Sequence, residues 1–347
     1  MSFFKFLFHG SNAWFIFAEK TMHPKEIRIV FMGTPDFAVE SLKTLVENGY
    51  QVVGVITAPD KPAGRGRQLS ESAVKKYAVE NNLKVLQPEK LKNPEFIAEL
   101  ESLKADLQIV VAFRMLPEIV WNMPSLGTIN LHGSLLPQYR GAAPLNWAII
   151  NGEKETGVTT FLLSHEIDTG QIIFQERTEI AENDSVGDLH DRMMEIGAKL
   201  VLKTVDALVE GTVNSIDQAL LIDNQERIKQ APKIFKDDCR IDWTRDAESV
   251  RNLIRGLSPY PTAWTELVHA EKPEILTAKI FAAVRDDQSL PAAPGTLHTD
   301  GKRFLKISCT DGWLSVTEIQ LSGKKRMKID ELLRGFHDLG DWRVKIL

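Results

Sequence analysis

The chain is poor in the residues and motifs that mark several large protein classes. It has two cysteines in 347 residues, Cys239 and Cys309, which lie far apart and outside any Cys-x-x-Cys or Cys/His cluster. Isolated cysteines predict free thiols in a reducing compartment, so a disulfide scaffold and a metal site are both disfavoured. No stretch reaches the ~18 apolar residues of a membrane-spanning helix, and we expect no membrane association.

Three catalytic signatures are also missing. The first strand-like run leads into MGTPDF at residues 32–37 and not into Gly-x-Gly-x-x-Gly, which disfavours a dinucleotide-dependent dehydrogenase. The chain has no Gly-Lys-Ser/Thr phosphate loop, and Ser134 lacks the Gly-x-Ser-x-Gly elbow of serine hydrolases. A P-loop NTPase and a serine hydrolase are therefore disfavoured as well.

Charge is distributed unevenly along the chain. Residues 1–224 carry 21 basic and 29 acidic side chains, whereas residues 225–347 carry 21 basic and 18 acidic side chains, a balance of +3 within a total of -5. The C-terminal part is the better candidate for contact with a polyanion. A solvated surface with a small basic surplus is an equally simple explanation of this balance.

The pattern from Ile27 to Gly211 alternates β-rich runs with helical ones, which predicts a parallel sheet with crossover helices. The predicted strands are residues 27–32, 51–57, 84–87, 107–113, 127–133 and 157–163. The predicted helices are residues 35–48, 91–103, 142–150 and 186–210, the last of which ends before Gly211.

Short alternating segments separated by Pro, Gly and Asp-rich turns follow residue 230, which predicts a small β-barrel preceded by one helix over 246–257. The fold class is therefore α/β: a Rossmann-like parallel-sheet domain followed by a small oligonucleotide-binding-like β-barrel. The expected boundaries are an N-terminal extension at 1–22, a catalytic domain at 23–211, a linker at 212–230 and the barrel at 231–347. Lys5, His9 and residues 10–12 interrupt the apolar run of the extension, which disfavours a secretory signal.

Two polar residues stand at the end of a predicted strand in INLHGSLLPQYRGAAP, residues 129–144. Asn130 and His132 are two positions apart and therefore project from the same face, at the carboxyl edge where open α/β sheets bind their ligands. An amide donor and an imidazole suit a reaction in which charge grows on a carbonyl oxygen while a proton moves. The same two side chains could instead satisfy buried backbone groups.

A carboxylate follows the next predicted strand. Asp168, in SHEIDTGQII, would reach the same sheet edge and could fix the tautomer of His132 and stabilise its protonated form. A simple turn at Asp168-Thr169-Gly170 is the alternative, and His165 is a competing partner.

These motifs together resemble the folate-dependent formyltransferases. The resemblance rests on Asn-x-His-Gly-Ser-Leu-Leu-Pro at 130–137, Tyr-Arg-Gly-Ala-Ala-Pro at 139–144 and Asp-Thr-Gly at 168–170. GTPDFA at 33–38, APDKPAGRGRQL at 58–69, CRIDW at 239–243, GLSPYPTAW at 256–264 and GKKRMK at 323–328 are similar to the members that act on methionyl-tRNA. The match extends from about Ile27 to the C-terminus.

The resemblance implies transfer of the formyl group of 10-formyltetrahydrofolate to the α-amino group of methionyl-initiator tRNA, without a metal, by a cytoplasmic enzyme of translation initiation that we expect to be a monomer. Asn130, His132 and Asp168 would be the catalytic residues. Folate would be held by Ser134, Leu135, Leu136 and Pro137 and by the turn with Arg114, Met115 and Leu116. That turn departs from the Tyr-Gly of the commonest family pattern.

The resemblance also implies a tRNA surface in two places. The loop PDKPAGRGR would present Lys61, Arg65 and Arg67 to the acceptor stem, and the barrel would contribute a cluster of four basic residues. The four are Lys324, Lys325, Arg326 and Lys328.

Three alternatives remain at this point. A formyltransferase for a small amine, such as an amino-sugar nucleotide or glycinamide, would share the three polar residues. An RNA-binding module with an inactive transferase domain and a hydrolase that releases formate without an acceptor are the other two. The PAGRGR loop and the basic C-terminal part favour tRNA.

Overall fold

The computed structural model describes residues 26–63, 68–222, 227–286 and 292–346, which form two seven-stranded sheets with separate cores and two small two-stranded sheets. The predicted extension at 1–22 lies outside the described residues. No helix in the described ranges is long and apolar enough to cross a membrane.

The first half contains ten strands and six α-helices among its described residues. The strands are β1 (Arg28–Gly33), β2 (Gln51–Ile56), β3 (Lys61–Ala63), β4 (Gln68–Ser70), β5 (Val85–Leu86), β6 (Leu107–Val111), β7 (Thr128–His132), β8 (Arg140–Gly141), β9 (Glu155–Leu162) and β10 (Ile172–Glu179). The helices are α1 (Val39–Glu47), α2 (Ala73–Glu80), α3 (Pro94–Ser102), α4 (Glu118–Trp121), α5 (Pro144–Ile150) and α6 (Val186–Glu210).

The main sheet of this half has the order β10-β9-β7-β6-β1-β2-β5. The five strands from β7 to β5 are parallel, as predicted. In contrast, β9 runs antiparallel to β7, and β10, which the sequence analysis did not predict, runs antiparallel to β9. The end of β9 therefore lies opposite Ile129, at the start of β7, and residues 163–171 return along the sheet to bring Asp168 within 3.8 Å of His132.

The central strands are buried on both faces, which explains their nearly continuous apolar sequence. In β1, Ile29 and Phe31 pack into one cluster with α1 and α6, whereas Val30 and Met32 pack into a second cluster on the opposite face with α3. A rigid sheet of this kind gives the residues at its carboxyl edge fixed positions.

Helix α6 has the bounds that its periodicity predicted. Ser185 begins it with a capping box, in which the Ser185 hydroxyl accepts from the Asp188 amide and the Asp188 carboxylate accepts from the Ser185 amide. These hydrogen bonds from Ser185 lower the pKa of Asp188. Gly211 ends the helix at φ +66°, a left-handed conformation that glycine adopts without strain.

The second half forms a nearly closed antiparallel barrel. Its strands are β11 (Gln230–Ala231), β12 (Ala263–His269), β13 (Ile275–Asp286), β14 (Leu297–Thr299), β15 (Leu305–Ser308), β16 (Trp313–Leu321), β17 (Met327–Lys328) and β18 (Trp342–Val344), and its helices are α7 (Ala247–Gly256) and α8 (Ile329–Leu333). The order is β14-β15-β16-β13-β12-β18, with β17 beside β16, while β11 joins β8 of the first half. Single 3-10 turns occupy Asp36–Ala38, Gln218–Leu221, Asp237–Cys239 and Leu339–Asp341.

The two halves meet where α7 packs on α5. The side chain of Asn146 donates to the carbonyl oxygen of Gly256 at 2.8 Å. The guanidinium of Arg251 donates to the carbonyl of Glu182 at 2.7 Å, and that of Arg255 donates to the carbonyl of Asp184 at 3.1 Å. Both arginines are buried, so these carbonyl contacts offset the desolvation of their charge. The barrel is therefore held against the first half at α5 and at residues 182–184, which follow β10.

Candidate active site

Asn130 and His132 lie at the carboxyl end of β7 and face one cavity of about 1150 Å³. The period-two spacing of a strand puts both on the same side, and neighbouring strands β6 and β9 hold β7 from each edge. His132 is 6% exposed and Asn130 is half-buried. The cavity thus has an amide and an imidazole side by side in its wall.

The ring of His132 is oriented by a backbone carbonyl. Its Nε2 lies 2.9 Å from the carbonyl oxygen of Tyr139. Because a carbonyl only accepts hydrogen bonds, this contact places a proton on Nε2 and leaves Nδ1 facing Asp168, whose Oδ2 is 3.8 Å away. The sequence pattern predicted that Asp168 fixes the tautomer of His132. In the structure the Tyr139 carbonyl has that contact, and Tyr139 itself has a left-handed φ of +60°.

Tyr139 is itself held firmly. Its hydroxyl donates to Glu153 at 2.5 Å and accepts from the Asn151 amide at 3.2 Å. Burial of the ring and the bond to Glu153 raise the pKa of Tyr139 above its usual range. The phenol therefore stays protonated and keeps its bond to Glu153 at neutral pH.

Asp168 is brought to the same cavity by the connection between β9 and β10. Its Oδ2 accepts from the Gly141 amide at 3.0 Å, and its side chain is 13% exposed. Its φ of +54° is left-handed, which is uncommon for any residue other than glycine. A conformation of this kind persists where surrounding contacts hold it, and it is frequent at functional sites.

The amide of Asn130 is free to act on a substrate. It makes no side-chain hydrogen bond with any residue in the described ranges, although it lines the cavity beside His132. An amide donor that is half-buried and unpaired can bind an oxygen atom of a ligand without first breaking a bond to the protein.

The turn after β6 forms the opposite wall. Arg114, Met115 and Leu116 all line the cavity, and Met115 is 72% exposed there. The Arg114 guanidinium donates to the backbone carbonyls of Pro88 and Glu89, which fix the turn. Burial lowers the pKa of Arg114.

The segment Ser134–Pro137 directly follows β7 and Gly133, and its expected contact with folate stays a prediction. Its four residues are not among the described residues that line the cavity. The Ser134 hydroxyl donates to the Gln138 carbonyl at 2.6 Å, and Leu136 is buried in a cluster with Phe161. The Leu136 amide also donates to the Thr159 hydroxyl at 3.1 Å, so this segment is fixed against β9.

Several lining residues were not singled out by the sequence analysis. Phe37 lies in the 3-10 turn before α1, His190 lies in α6, and Tyr260, 82% exposed, comes from the second half. The His190 ring lies 3.0 Å from the Asp191 carboxylate and 3.7 Å from that of Asp36. Phe37 and Tyr260 lie within GTPDFA and GLSPYPTAW, two motifs that carry the family resemblance, whereas His190 lies outside the quoted motifs.

The predicted tRNA-contact residues have mixed environments. Lys61 is exposed, while Arg65 and Arg67 lie outside the described residues. In the barrel, Lys324, Lys325 and Lys328 are exposed. Arg326 differs from them, because it pairs with the carboxylate of Glu318 and stacks over the ring of Phe281, 4.3 Å from its centroid. The Arg326 guanidinium is therefore already in contact with other groups of the protein.

The described residues contain no group of three or more His, Cys, Asp or Glu that could hold a metal ion. The donor set at the cavity, one amide, one imidazole and one carboxylate, instead suits hydrogen bonding and proton movement.

Comparison with known proteins shows the family of the chain. The model of the family described as "Formyl transferase" matches residues 27–205, and that of "Formyl transferase, C-terminal domain" matches residues 233–337. The chain is 59% identical over 324 residues to a methionyl-tRNA formyltransferase of Bacteroides fragilis, covering 93% of this chain and 99% of the relative. It is 59% identical over 315 residues to that of Bacteroides thetaiotaomicron, covering 91% and 97%.

Among solved structures, the fold resembles an N-formyltransferase of Helicobacter canadensis in complex with folinic acid and dTDP-3-aminofucose. The TM-score is 0.61 at 22% identity, covering 87% of this chain and all of that one. This likeness extends over both halves of the chain.

Proposed function

The chain belongs to the methionyl-tRNA formyltransferase family, and we therefore propose that it transfers the formyl group of 10-formyltetrahydrofolate to the α-amino group of methionyl-initiator tRNA. The observation that carries this proposal is the convergence of Asn130, His132 and Asp168 on one cavity in a chain 59% identical to such enzymes. The reaction prepares the charged initiator for translation initiation.

The reaction forms a bond between the α-amino nitrogen and the formyl carbon and breaks the bond between that carbon and the folate nitrogen. One proton leaves the amine and one is gained by the folate nitrogen, so the reaction is balanced without a metal or an oxidant. Negative charge grows on the formyl oxygen while the new bond forms. The protein therefore has to supply a hydrogen-bond donor for that oxygen and a route for the proton.

Asn130 is the proposed donor for the formyl oxygen, because its amide lines the cavity and is unpaired among the described residues. A fixed donor of this kind costs no reorganisation when the charge develops.

His132 and Asp168 form the proposed proton route. Nε2 of His132 is held by Tyr139, so Nδ1 is the nitrogen that can gain and lose a proton, and the Asp168 carboxylate stabilises its protonated form. The 3.8 Å between Nδ1 and Oδ2 is longer than a hydrogen bond and leaves room for both atoms to contact one water molecule or the substrate.

The cavity fits two substrates that meet at these residues. Its volume of about 1150 Å³ exceeds the ~300–1000 Å³ found for sites that bind one small molecule. We propose that the turn with Arg114, Met115 and Leu116 binds the folate ring, together with Ser134–Pro137. The aminoacyl end of the tRNA would enter past Tyr260 on the barrel side.

The test is whether formylation depends on the presence of the folate that donates the formyl group. Purified protein is incubated with methionyl-initiator tRNA, with or without 10-formyltetrahydrofolate, and the amino acid released by hydrolysis of the aminoacyl ester is identified by mass spectrometry. N-formylmethionine should form only with the folate donor. If only methionine is recovered under both conditions, the proposed function is wrong.

We propose that the exposed lysines of the barrel hold the tRNA backbone. Replacing Lys324, Lys325 and Lys328 together with glutamine should weaken tRNA binding about tenfold at ~0.1 M salt and flatten the plot of log Kd against log salt, since fewer counterions are released. Filter binding across a series of salt concentrations measures both the Kd for tRNA and the slope of this plot.

A matched variant with three glutamines elsewhere, at Lys76, Lys154 and Lys199, removes the same charge from exposed positions on the first half. It should bind tRNA nearly as the wild type does. If the two triple variants weaken tRNA binding equally, binding depends on the net charge of the protein, which would contradict a localised lysine surface.

We also propose that the protein acts as a monomer in the cytoplasm, where charged tRNA is used. One chain supplies both sides of the cavity, with Asn130 from the first half and Tyr260 from the second. Sedimentation should give the mass of a single chain, and a stable dimer at micromolar concentration would contradict this.

A further inference from the structure

The segment that joins the two halves returns to the catalytic cavity before it reaches the barrel. Ile216 forms a two-way backbone bridge with Ile172, with N–O distances of 2.8 and 2.9 Å. Gln218 follows at the start of a 3-10 turn and is 1% exposed, which is unusual for a polar residue in a connection. Farther along, Gln230–Ala231 pairs with Arg140–Gly141.

The side-chain amide of Gln218 connects the two loops that carry the site. Its Nε2 donates to the carbonyl oxygens of Asp168 at 2.9 Å and Gly170 at 2.8 Å. Its Oε1 accepts from Arg140, at 3.1 Å from Nε and 2.7 Å from a terminal nitrogen. Both hydrogens of the amide and both lone pairs of its oxygen are therefore used, and the opposite orientation of the amide would break all four bonds.

These hydrogen bonds hold the part of the site whose backbone conformation is least regular. Asp168 has a left-handed φ of +54°, and its carboxylate accepts from the Gly141 amide, the residue directly after Arg140. Gln218 binds the backbone of Asp168 on one side and the side chain of Arg140 on the other. It therefore fixes the distance between the two loops and the direction of the Asp168 carboxylate.

We propose that Gln218 is a positioning residue of the formyl transfer. From the segment that joins the two halves, it holds the Asp168 carboxylate at the Nδ1 side of the His132 ring. This inference rests on the proposed function, which gives Asp168 and His132 their roles in proton movement.

The test is Gln218→Met, which keeps the length of the side chain and removes all four hydrogen bonds. Because small displacements of a catalytic group are costly, kcat should fall about 10- to 100-fold, while KM for methionyl-tRNA should stay within about twofold because Gln218 is buried away from solvent. An unchanged kcat would overturn the proposal. If the methionine variant does not fold, Gln218→Glu keeps an acceptor for Arg140 and loses only the two donors.

Gln175→Met is the matched control. Gln175 also donates two hydrogen bonds within the protein, to the Leu136 carbonyl at 2.8 Å and to the Thr159 hydroxyl at 3.0 Å, but neither bond reaches Asp168. Its kcat should stay within about threefold of the wild type. A loss equal to that of Gln218→Met would show that any lost internal glutamine lowers activity, and would contradict a specific role.

A double variant distinguishes the loss of Asp168 positioning from a general loss of stability. In an Asp168→Ala background no carboxylate remains to be placed, so adding Gln218→Met should lower kcat by less than about twofold. If the two losses multiply, Gln218 does not act through Asp168 and the proposal is wrong.

A measurement that does not depend on catalysis tests the role of Gln218 separately from the proposed formyl transfer. Hydrogen exchange of the Gly141 amide reports its bond to Asp168. Exchange should be at least about tenfold faster in Gln218→Met than in the wild type and unchanged in Gln175→Met. Equal exchange in all three would refute the positioning of Asp168, whereas failure of the wild type to formylate methionyl-tRNA would refute the proposed function and leave this result valid.

Discussion

Replacing Asn130 with alanine should lower kcat for formyl transfer by about 10²- to 10³-fold, the usual effect of removing one donor to a developing oxyanion. The reason lies in the geometry, since the Asn130 amide faces the cavity and has no hydrogen-bond partner among the described residues. Folding should be little affected for the same reason. Single-turnover kinetics with saturating donor measure the chemical step directly, and thermal unfolding measures stability.

Asp168→Ala should also fold and lose most turnover, because the protonated form of His132 loses its neighbouring carboxylate. Asn81→Ala is the control for both variants. Its side chain donates only to the Tyr77 carbonyl at 2.9 Å on the exposed end of α2. Near-wild-type turnover in Asn130→Ala or Asp168→Ala would remove that residue from the catalytic set.

The second large effect is expected at Gly170, two residues after Asp168. A Cβ atom at this position would lie 1.6 Å from the carbonyl oxygen of Leu162 and 3.1 Å from the ring of Phe161. The backbone must shift to accommodate it, so Gly170→Ala should lower the free energy of unfolding by about 1–3 kcal/mol. The shift also displaces Asp168, and kcat should fall about 100-fold.

Gly312→Ala is the matched control for Gly170→Ala, because an added Cβ at Gly312 meets nothing within 4 Å. Denaturant unfolding should show a change of less than about 0.5 kcal/mol for it, as for an unhindered surface substitution. If Gly170→Ala is as stable and as active as Gly312→Ala, the close approach of the Asp168 loop to β9 is not present in solution.

Much of the fold follows from local pattern. The periodicity and end signals of α6 predicted its bounds at residues 186 and 210, and the apolar run of β6 predicted a strand buried on both faces. The edge strand β10 escaped prediction, because only its first residues, Ile172 and Ile173, are buried and the remainder is polar. Strand direction at β9 also carries no local signature.

The candidate site likewise has one part that the sequence predicted and one part that only the structure shows. Asn130 and His132 share a strand, so a period of two was enough to place them together. Asp168 follows β9, which ends opposite the start of β7, so its approach to His132 depends on the path of residues 163–171. The Tyr139 carbonyl that orients His132 and the Gln218 amide that binds the Asp168 loop depend on contacts between distant loops. A backbone atom and a glutamine have no sequence signal of their own, so these roles required the structure.

The most direct test of the account is a competition between acceptors in one reaction. Labelled 10-formyltetrahydrofolate is offered to the wild-type protein with equal amounts of methionyl-initiator tRNA, uncharged tRNA, free methionine and an amino-sugar nucleotide. The account predicts label in the charged tRNA and background label in the others, with almost none transferred by Asn130→Ala. Label in the sugar nucleotide, or formate released without transfer, would contradict it.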